Sequence, residues 1–538
     1  MAAIQEHLEQ GAVREWLTLS GGNEMRFKRA WFRALVRRRI AVILLLVLQI
    51  LFICYVINSE TMAAEIIRVL LHVASGFIAL HVVCQKDKGA NKVAWISLTL
   101  LFPLLGSALY LLCYFQSSTR HFRADIAQIQ QDTKTLYHLP GSVSGQRVQA
   151  DLFPYSTQKQ YIQDYAGFPA YNQTDVQYYS PGEMFWTPFL LELRKAQSYI
   201  FMEYFILDSG LLWDSILDIL IEKAGQGVEV RIIYDDIGCF LTLPSNFAKR
   251  LEQYCIKCVA FNPFRPFLST SQNNRDHRKI TSIDGKVAFT GGLNLADEYV
   301  NLYEKHGYWK DCAVKVEGKA AWSLTLMFLE MWELCCRTHE CFADFYPADG
   351  YPQREETHGY VQPYADSPLD DENVCEHVYL QILNQAKDYV YITTPYLIVD
   401  GSMVSALCLA AKSGVDVRII TPQVWDKALI HMTTRSYYRE LMQGGVKIYE
   451  YTGGFIHSKT FVSDDRVASV GTANLDFRSL YLHFECGVWM CDNRAVLQLK
   501  QDFLDTIAAS QEITFDDCKA GPIKKVFQNI LRLFAPLM

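Results

Sequence analysis

Three apolar runs dominate the chain before Gln116. In Ile40–Ile57 the only strong polar interruption is Gln49. Val93–Phe115 holds no charge at all. Ile66–Val83 is mostly apolar but carries Arg68, His72 and His81. A bilayer core takes roughly 20 apolar helical residues, so the first and third runs predict membrane spans. The second is weaker: its polar residues face other helices or water, or set it in the interface. From about residue 190 the pattern changes to alternating strand-like and helix-like segments, the signature of an α/β fold.

Charge refines the membrane reading. Arg26, Lys28, Arg29, Arg33, Arg37, Arg38 and Arg39 precede the first run with no acid among them. The positive-inside rule then holds the N-terminus in the cytoplasm. A cleaved signal peptide is the poorer reading, because Met1–Arg39 is too long for its basic region and two more apolar runs follow. Two topologies remain. Three spans, favoured by Lys86, Lys88 and Lys92 between the second and third runs, put the large C-terminal part outside. Two spans leave it inside, a reducing compartment that suits unpaired thiols such as Cys312, Cys486 and Cys491 in apolar surroundings. The chain carries −7 overall, and Met1–Arg39 has eight basic and four acidic side chains, so the remainder carries −11. An acidic body argues against nucleic acid as a partner and requires any contact with anionic lipid to be local.

The part beyond residue 190 is duplicated. Ala196–Phe205 matches Ala386–Pro395, and Gly227–Ile233 matches Gly414–Ile420, each pair flanking an amphipathic helical pattern. Corresponding positions keep a similar offset along the chain: Ile200 with Val390, Val230 with Val417, His277 with His457. This predicts two homologous αβ lobes related by a pseudo-twofold axis.

The chemistry-bearing motif occurs once in each lobe. His277-x-Lys279-x4-Asp284 is followed by Gly291-x2-Asn294, and His457-x-Lys459-x4-Asp464 by Gly471-x2-Asn474. Read as strands, each copy points its histidine and lysine to one face. Two such faces meeting across the axis surround one phosphorus atom. The lysines and asparagine amides donate to its non-bridging oxygens. One imidazole attacks while the other protonates the leaving oxygen. Lysines supply the positive charge, so no metal and no cofactor is required. A nucleophilic imidazole needs its second nitrogen held by an acceptor. Glu485 is the candidate to hold His457, and Asp311 to hold His277.

At these residues the chain resembles the phospholipase D superfamily, and more closely its bacterial cardiolipin synthases. Three stretches carry the resemblance: Ala94 to Leu112 with Phe102-Pro103-Leu-Leu-Gly106; Asn274 to Tyr299; and His457 to Ser479. Asp276, Lys310 and His483 depart from the residues common there. The resemblance implies a phosphatidyltransferase of phospholipid biosynthesis. One phosphatidylglycerol gives its phosphatidyl group to a histidine, releasing glycerol, and a second phosphatidylglycerol takes it to give cardiolipin. It implies His277 as nucleophile and His457 as acid and base, a multi-pass protein of the bacterial cell membrane, membrane lipids as partners, and leaves a homo-oligomer open. The motif alone equally fits a phospholipase D-type hydrolase, with water in place of the lipid hydroxyl.

The expected layout is a basic segment at 1–39, membrane helices at 40–116, a first lobe at 117–345, a second at 346–515 and an amphipathic helix at 516–538. In that last segment Val526, Ile530, Leu533 and Phe534 recur at helical spacing beside Lys524, Lys525 and Arg532, as in an interfacial helix or one docked on its own domain. Cys255 and Cys258, and the cluster Cys335, Cys336, His339 and Cys341, read as ordinary thiols rather than a zinc site.

Overall fold

The computed structural model describes residues 47–48, 51, 55, 61–114, 117–138, 155–264, 270–351 and 359–537. The basic segment lies outside the described residues, as does nearly all of the first apolar run.

The remaining two apolar runs fold differently from expectation. The second, read as the weaker, forms α1 (Met62–Cys84). It is the one helix among the described residues long and apolar enough to cross a membrane, at about 35 Å. The third run is two helices, α2 (Gly89–Leu101) and α3 (Pro103–Tyr114), not one span. Pro103 has no N–H to donate and disfavours helical backbone before it, so Phe102 turns out of the helix at φ −129° and ψ 74°. Each half is about 20 Å long or less, short of a roughly 30 Å core. The halves double back tightly: a β-carbon on Gly106 would lie 2.4 Å from the Leu98 carbonyl oxygen. Lys88, in the α1–α2 turn, ties this bundle to the rest of the chain. Its ammonium lies 2.6 Å from the fully buried Glu376, whose other oxygen accepts from Tyr481 Oη at 2.8 Å.

Beyond α4 (Ser117–Tyr137) the chain builds two sheets of one topology. The first runs β1 (Thr174–Tyr179), β7 (Ala313–Gly318), β6 (Val287–Gly291), β5 (Ile280–Ile283), β2 (Tyr199–Tyr204), β3 (Glu229–Asp235), β4 (Lys257–Phe261). The second repeats this order with β8 (Tyr360–Asp366), β14 (His483–Cys491), β13 (Val467–Gly471), β12 (Thr460–Ser463), β9 (Tyr389–Thr393), β10 (Asp416–Pro422), β11 (Lys447–Tyr451), and adds the edge strand β15 (Ser510–Glu512). The repeated mixed α/β unit is therefore present twice, as the matching segments predict. The central parallel strands β3 and β10 carry paired isoleucines and valines and are largely buried, because helices cover them. Helix Ala321–Cys336 is mostly apolar, buried from Ala321 to Leu334, and packs against strands of both sheets. Phe328 stacks on Phe201 of β2 at 4.8 Å.

The two sheets also trade short strands. Arg275–Asp276 of the first lobe pairs in parallel with His483 and Phe484 at the start of β14. Tyr308–Lys310 pairs in parallel with Gly454–Ile456 of the second lobe. Each pairing delivers one histidine to the seam: His277 N donates to Phe484 O at 3.0 Å and His457 N to Lys310 O at 2.8 Å.

Candidate active site

The two motifs meet at this seam. His277, His457, Asn294 and Asn474 all line one cavity of about 540 Å3. His277-Arg-Lys279 and His457-Ser-Lys459 are not strand residues, as the sequence pattern suggested. They are extended links that lead into β5 and β12, freed from ladder pairing so that their side chains reach the seam.

Each imidazole is held by a carboxylate, but the pairing is crossed relative to expectation. His277 Nδ1 donates to Glu485 at 2.9 and 3.0 Å, and His457 Nδ1 donates to Asp311 Oδ2 at 2.7 Å. Glu485 follows the second motif in sequence, yet its strand is the one paired with Arg275–Asp276. Asp311 follows the first motif, yet its segment is paired with Gly454–Ile456. Exchange of strands between lobes, not distance along the chain, decides the partner. Thr472 was not anticipated: its hydroxyl donates to Glu485 Oε2 at 2.5 Å and accepts from Cys486 N at 2.9 Å.

Both rings sit among aromatics. Phe205 lies 4.9 Å from His277, and Trp309, Tyr299 and Phe455 lie 5.3, 5.6 and 5.9 Å from His457. Burial pulls His277 down to about 3; Glu485 opposes this and Lys279 adds to it. Burial, then Lys459, pulls His457 down to about 4, against Asp311. Burial would raise Glu485 and Asp311, but their imidazole partners hold both carboxyls below the usual range. The resting site thus holds two neutral rings and two carboxylates. Since a carboxylate only accepts, Nδ1 of His277 carries the proton and its Nε2 keeps a lone pair. His457 Nδ1 lies between Asp311 Oδ2 and Lys459 Nζ, 2.9 Å away, and the shorter contact to the carboxylate assigns it the same tautomer.

The lysines are the least solvated cations in the site. Lys279 Nζ donates to the His277 carbonyl at 2.6 Å, and Lys459 Nζ to the His457 carbonyl. Burial lowers Lys279 to about 8 and Lys459 to about 7. The asparagines differ. Asn294 accepts from Ile206 N at 3.0 Å and donates to Tyr299 Oη at 2.8 Å, bracing the wall beside His457. Asn474 lines the cavity with a buried Oδ1 that has no hydrogen-bond partner among the described residues.

Asp284 and Asp464, expected among the reacting groups, sit at the far ends of β5 and β12 and line no part of the cavity. Asp284 accepts three backbone N–H bonds at 2.8 Å, from Gln197, Ser198 and Tyr199. Asp464 does the same for Lys387, Asp388 and Tyr389 at 2.8 to 3.0 Å. Both adopt left-handed backbone in the turn after the strand. They clamp β2 and β9 to the motif strands. A short polar side chain is what such a turn needs, which is why an aspartate follows each lysine at the same spacing.

Of the unusual residues, Lys310 binds Asp502 at 2.7 Å. Arg278, which reaches Glu203 at 2.7 Å, also lies 3.5 Å from Asp276 beneath the site. His483 lies 5.5 Å from the His277 ring. His277, His483 and Glu485 are a trio of metal-type donors within 4.8 Å of one another. The Glu485 oxygens already serve His277 and Thr472, and the neighbouring Lys279 cation opposes a second positive charge. The trio is therefore a poor metal cradle. The remaining wall includes Tyr396, Ile398 and Ile430, and Ala535 of the C-terminal turn.

Two carboxylate-held imidazoles with buried lysines beside them, facing one cavity in a duplicated α/β scaffold, define a phosphoryl-transfer site of the phospholipase D type. The family described as cardiolipin synthase, PLD-like domain, matches residues 189–318 and 379–507. The cardiolipin synthase of Geobacillus kaustophilus is 32% identical over 86% of this chain and 92% of its own. Cardiolipin synthase 1 of Bacillus anthracis is 31% identical over 86% and 92%. A Streptococcus mutans protein of unassigned function is 43% identical over 85% of this chain and 99% of its own. The crystal structure of Haemophilus influenzae phosphatidylserine synthase shares the fold, with a TM-score of 0.54 over 71% of this chain and all of that one, at 14% identity. The chain belongs to the cardiolipin synthase family.

Proposed function

We propose that this protein is a cardiolipin synthase that transfers a phosphatidyl group from one phosphatidylglycerol to another at the seam between its two lobes. The observation that carries the reading is the crossed pair of imidazole–carboxylate couples facing one cavity. Nε2 of His277 attacks phosphorus, a P–N bond forms and the P–O bond to glycerol breaks. His457 gives its proton to the departing glycerol oxygen. Before substrate binds His457 is neutral; the anionic phosphodiester arriving beside it favours the protonated ring. The hydroxyl of the second phosphatidylglycerol then yields its proton to His457. Its oxygen bonds to phosphorus, the P–N bond breaks, and cardiolipin leaves. Asn474 in the cavity wall, with the buried Lys279 and Lys459 beside the two histidines but outside the lining, balances the charge that grows on the non-bridging oxygens.

The surroundings suit a lipid. The cavity wall is largely aromatic and aliphatic. The turn Ala535–Leu537 connects that wall to α2, and α1 beside it exposes Ile66, Leu70, Phe77 and Leu80. We read α1 as a span of the bacterial cell membrane, with the first apolar run as a second, in a multi-pass arrangement that holds the cavity mouth at the bilayer surface. The lobes divide near residue 345, after the buried helix.

The test is turnover of phosphatidylglycerol vesicles by the purified full chain, read by mass spectrometry. Cardiolipin with one glycerol per turnover is expected, and His277→Ala abolishes both. Phosphatidic acid as the sole product would refute transfer to a lipid hydroxyl.

A further inference from the structure

A second cavity lies next to the catalytic one, on the other side of one helix end. It has a volume of about 400 Å3 and sits between helix Ala428–Gln443 and the segment from Asp517 to Asn529. The two cavities share a wall. Asp426, Lys427 and Ile430 face the catalytic cavity, while Trp425, Ala428 and His431 face the second.

Its lining is cationic. Arg435, Arg439, Lys519, Lys524 and Lys525 contribute to it, with Asp517 as the sole acidic lining residue. Arg435 is partly neutralised by Glu450 at 3.5 Å, and Lys519 pairs with Asp516 at 2.8 Å. Among the described residues no ion pair involves Arg439, Lys524 or Lys525. The concentration of charge registers on His431, which burial and then Arg435 and Lys524 pull down to about 4. Five cations around one small cavity are anomalous on a body whose net charge is −11 beyond Arg39.

The position of this cavity names the kind of anion. Helix Pro522–Phe534, which supplies Lys524 and Lys525, leaves Ile523, Val526, Phe527 and Ile530 exposed. It is docked rather than free: Arg532 binds Glu440 at 2.6 Å and lies 4.1 Å from the Tyr437 ring centroid, and the helix packs on α2 of the membrane bundle. Trp425 stands exposed in the cavity lining. A cationic recess bordered by an exposed tryptophan, an apolar helix face and the membrane bundle is built for the boundary between headgroups and acyl chains. We infer that this cavity binds the phosphodiester headgroup of an anionic phospholipid in the bilayer, one helix end away from the reacting phosphorus and distinct from it. The lipid so held fixes the C-terminal helix against the membrane and keeps the catalytic mouth level with its substrates.

The test uses Cys518, a half-buried thiol in the cavity wall, as a local reporter. The full chain is placed in nanodiscs of phosphatidylcholine alone, or of phosphatidylcholine with phosphatidylglycerol. Alkylation of Cys518 is followed by peptide mass spectrometry, with the exposed Cys255 as reference. Phosphatidylglycerol is expected to slow Cys518 alkylation about tenfold while Cys255 is unchanged. Combined Arg439→Glu, Lys524→Glu and Lys525→Glu is expected to remove that protection, and Arg439→Lys with Lys524→Arg and Lys525→Arg to keep it. Equal rates in the two discs would overturn the site, as would protection that survives charge reversal. Protection by inorganic phosphate added to phosphatidylcholine discs would overturn the assignment to a membrane lipid. The disc comparison needs no variant and no turnover, so its outcome is independent of the transfer reaction proposed above.

Discussion

His277 donates its Nδ1 proton to Glu485, which lies 2.9 Å away in the opposite lobe. Asp311 returns the arrangement by holding His457 at 2.7 Å. Neither half-site is complete without the other lobe. Glu485→Gln keeps the shape but offers an amide where a carboxylate fixed the tautomer. We expect kcat to fall by ~100-fold or more, with KM little changed. Asp311→Asn should cost a similar factor. The double variant should lose much less than the product, because both carboxylates serve one chemical sequence. Steady-state kinetics on phosphatidylglycerol micelles checks all three; multiplicative losses would show that the two couples act separately.

Asp284→Asn and Asp464→Asn report on scaffold rather than chemistry. Each carboxylate accepts three backbone N–H groups at the start of a central strand. Replacing charged acceptors there should destabilise by about 1–3 kcal/mol per site, seen as a Tm several degrees lower. Activity per folded molecule should fall far less than in Glu485→Gln. A Glu485→Gln-sized loss at unchanged Tm would return these aspartates to the reacting set.

The duplication, the motif pair and the α/β class were legible because they are local: short matching stretches and fixed spacings survive translation into strands. The carboxylate partners were legible as residues but not as pairs. Which of Asp311 and Glu485 meets which ring depends on Arg275–Asp276 and Tyr308–Lys310 crossing between lobes, and no periodicity encodes a crossing. Thr472 and the Arg278–Glu203 pair had no signal at all, since a lone threonine or arginine in a strand context looks structural. In the apolar N-terminal part, counting apolar residues overlooked Pro103, whose missing N–H matters more than the uncharged positions around it.

The depressed imidazoles set the acid limb of stability. An unfolded histidine takes its proton near pH 6.5, whereas His277 and His457 stay neutral down to about 3 and 4. Between those values the unfolded chain binds more protons, so stability is present above pH 6.5 and drains as pH falls toward 4. Lys459 acts on the alkaline side. With its native value near 7 against 10.5, the unfolded chain again binds more protons, and stability rises from pH 7 toward 10.5. Thermal unfolding of the detergent-solubilised protein should show both slopes. His457→Asn should flatten the acid limb, and Lys459→Met the alkaline one. Slopes unchanged by these variants would mean that other groups dominate.

Gly106 and Gly76 make a matched test of the N-terminal helix bundle. Gly106 lies where α3 doubles back on α2, and a side chain there meets Leu98 O at 2.4 Å and Thr99 Cα at 2.7 Å. These are backbone atoms, which cannot swing aside, so Gly106→Ala must push the two helices apart. Gly76, within α1, has nothing among the described residues within 4 Å of the same built atom. Gly76→Ala therefore adds only helix propensity, about 0.5–1 kcal/mol in favour of folding. The same substitution should thus act with opposite sign at two glycines of one small bundle: Tm unchanged or raised for Gly76→Ala, and lowered by several degrees for Gly106→Ala. The loss at Gly106 should extend to activity, because α2 carries the contacts to the C-terminal turn whose Ala535 lines the catalytic cavity. A Gly106→Ala protein with wild-type Tm and turnover would show that α2 and α3 do not close on each other as described.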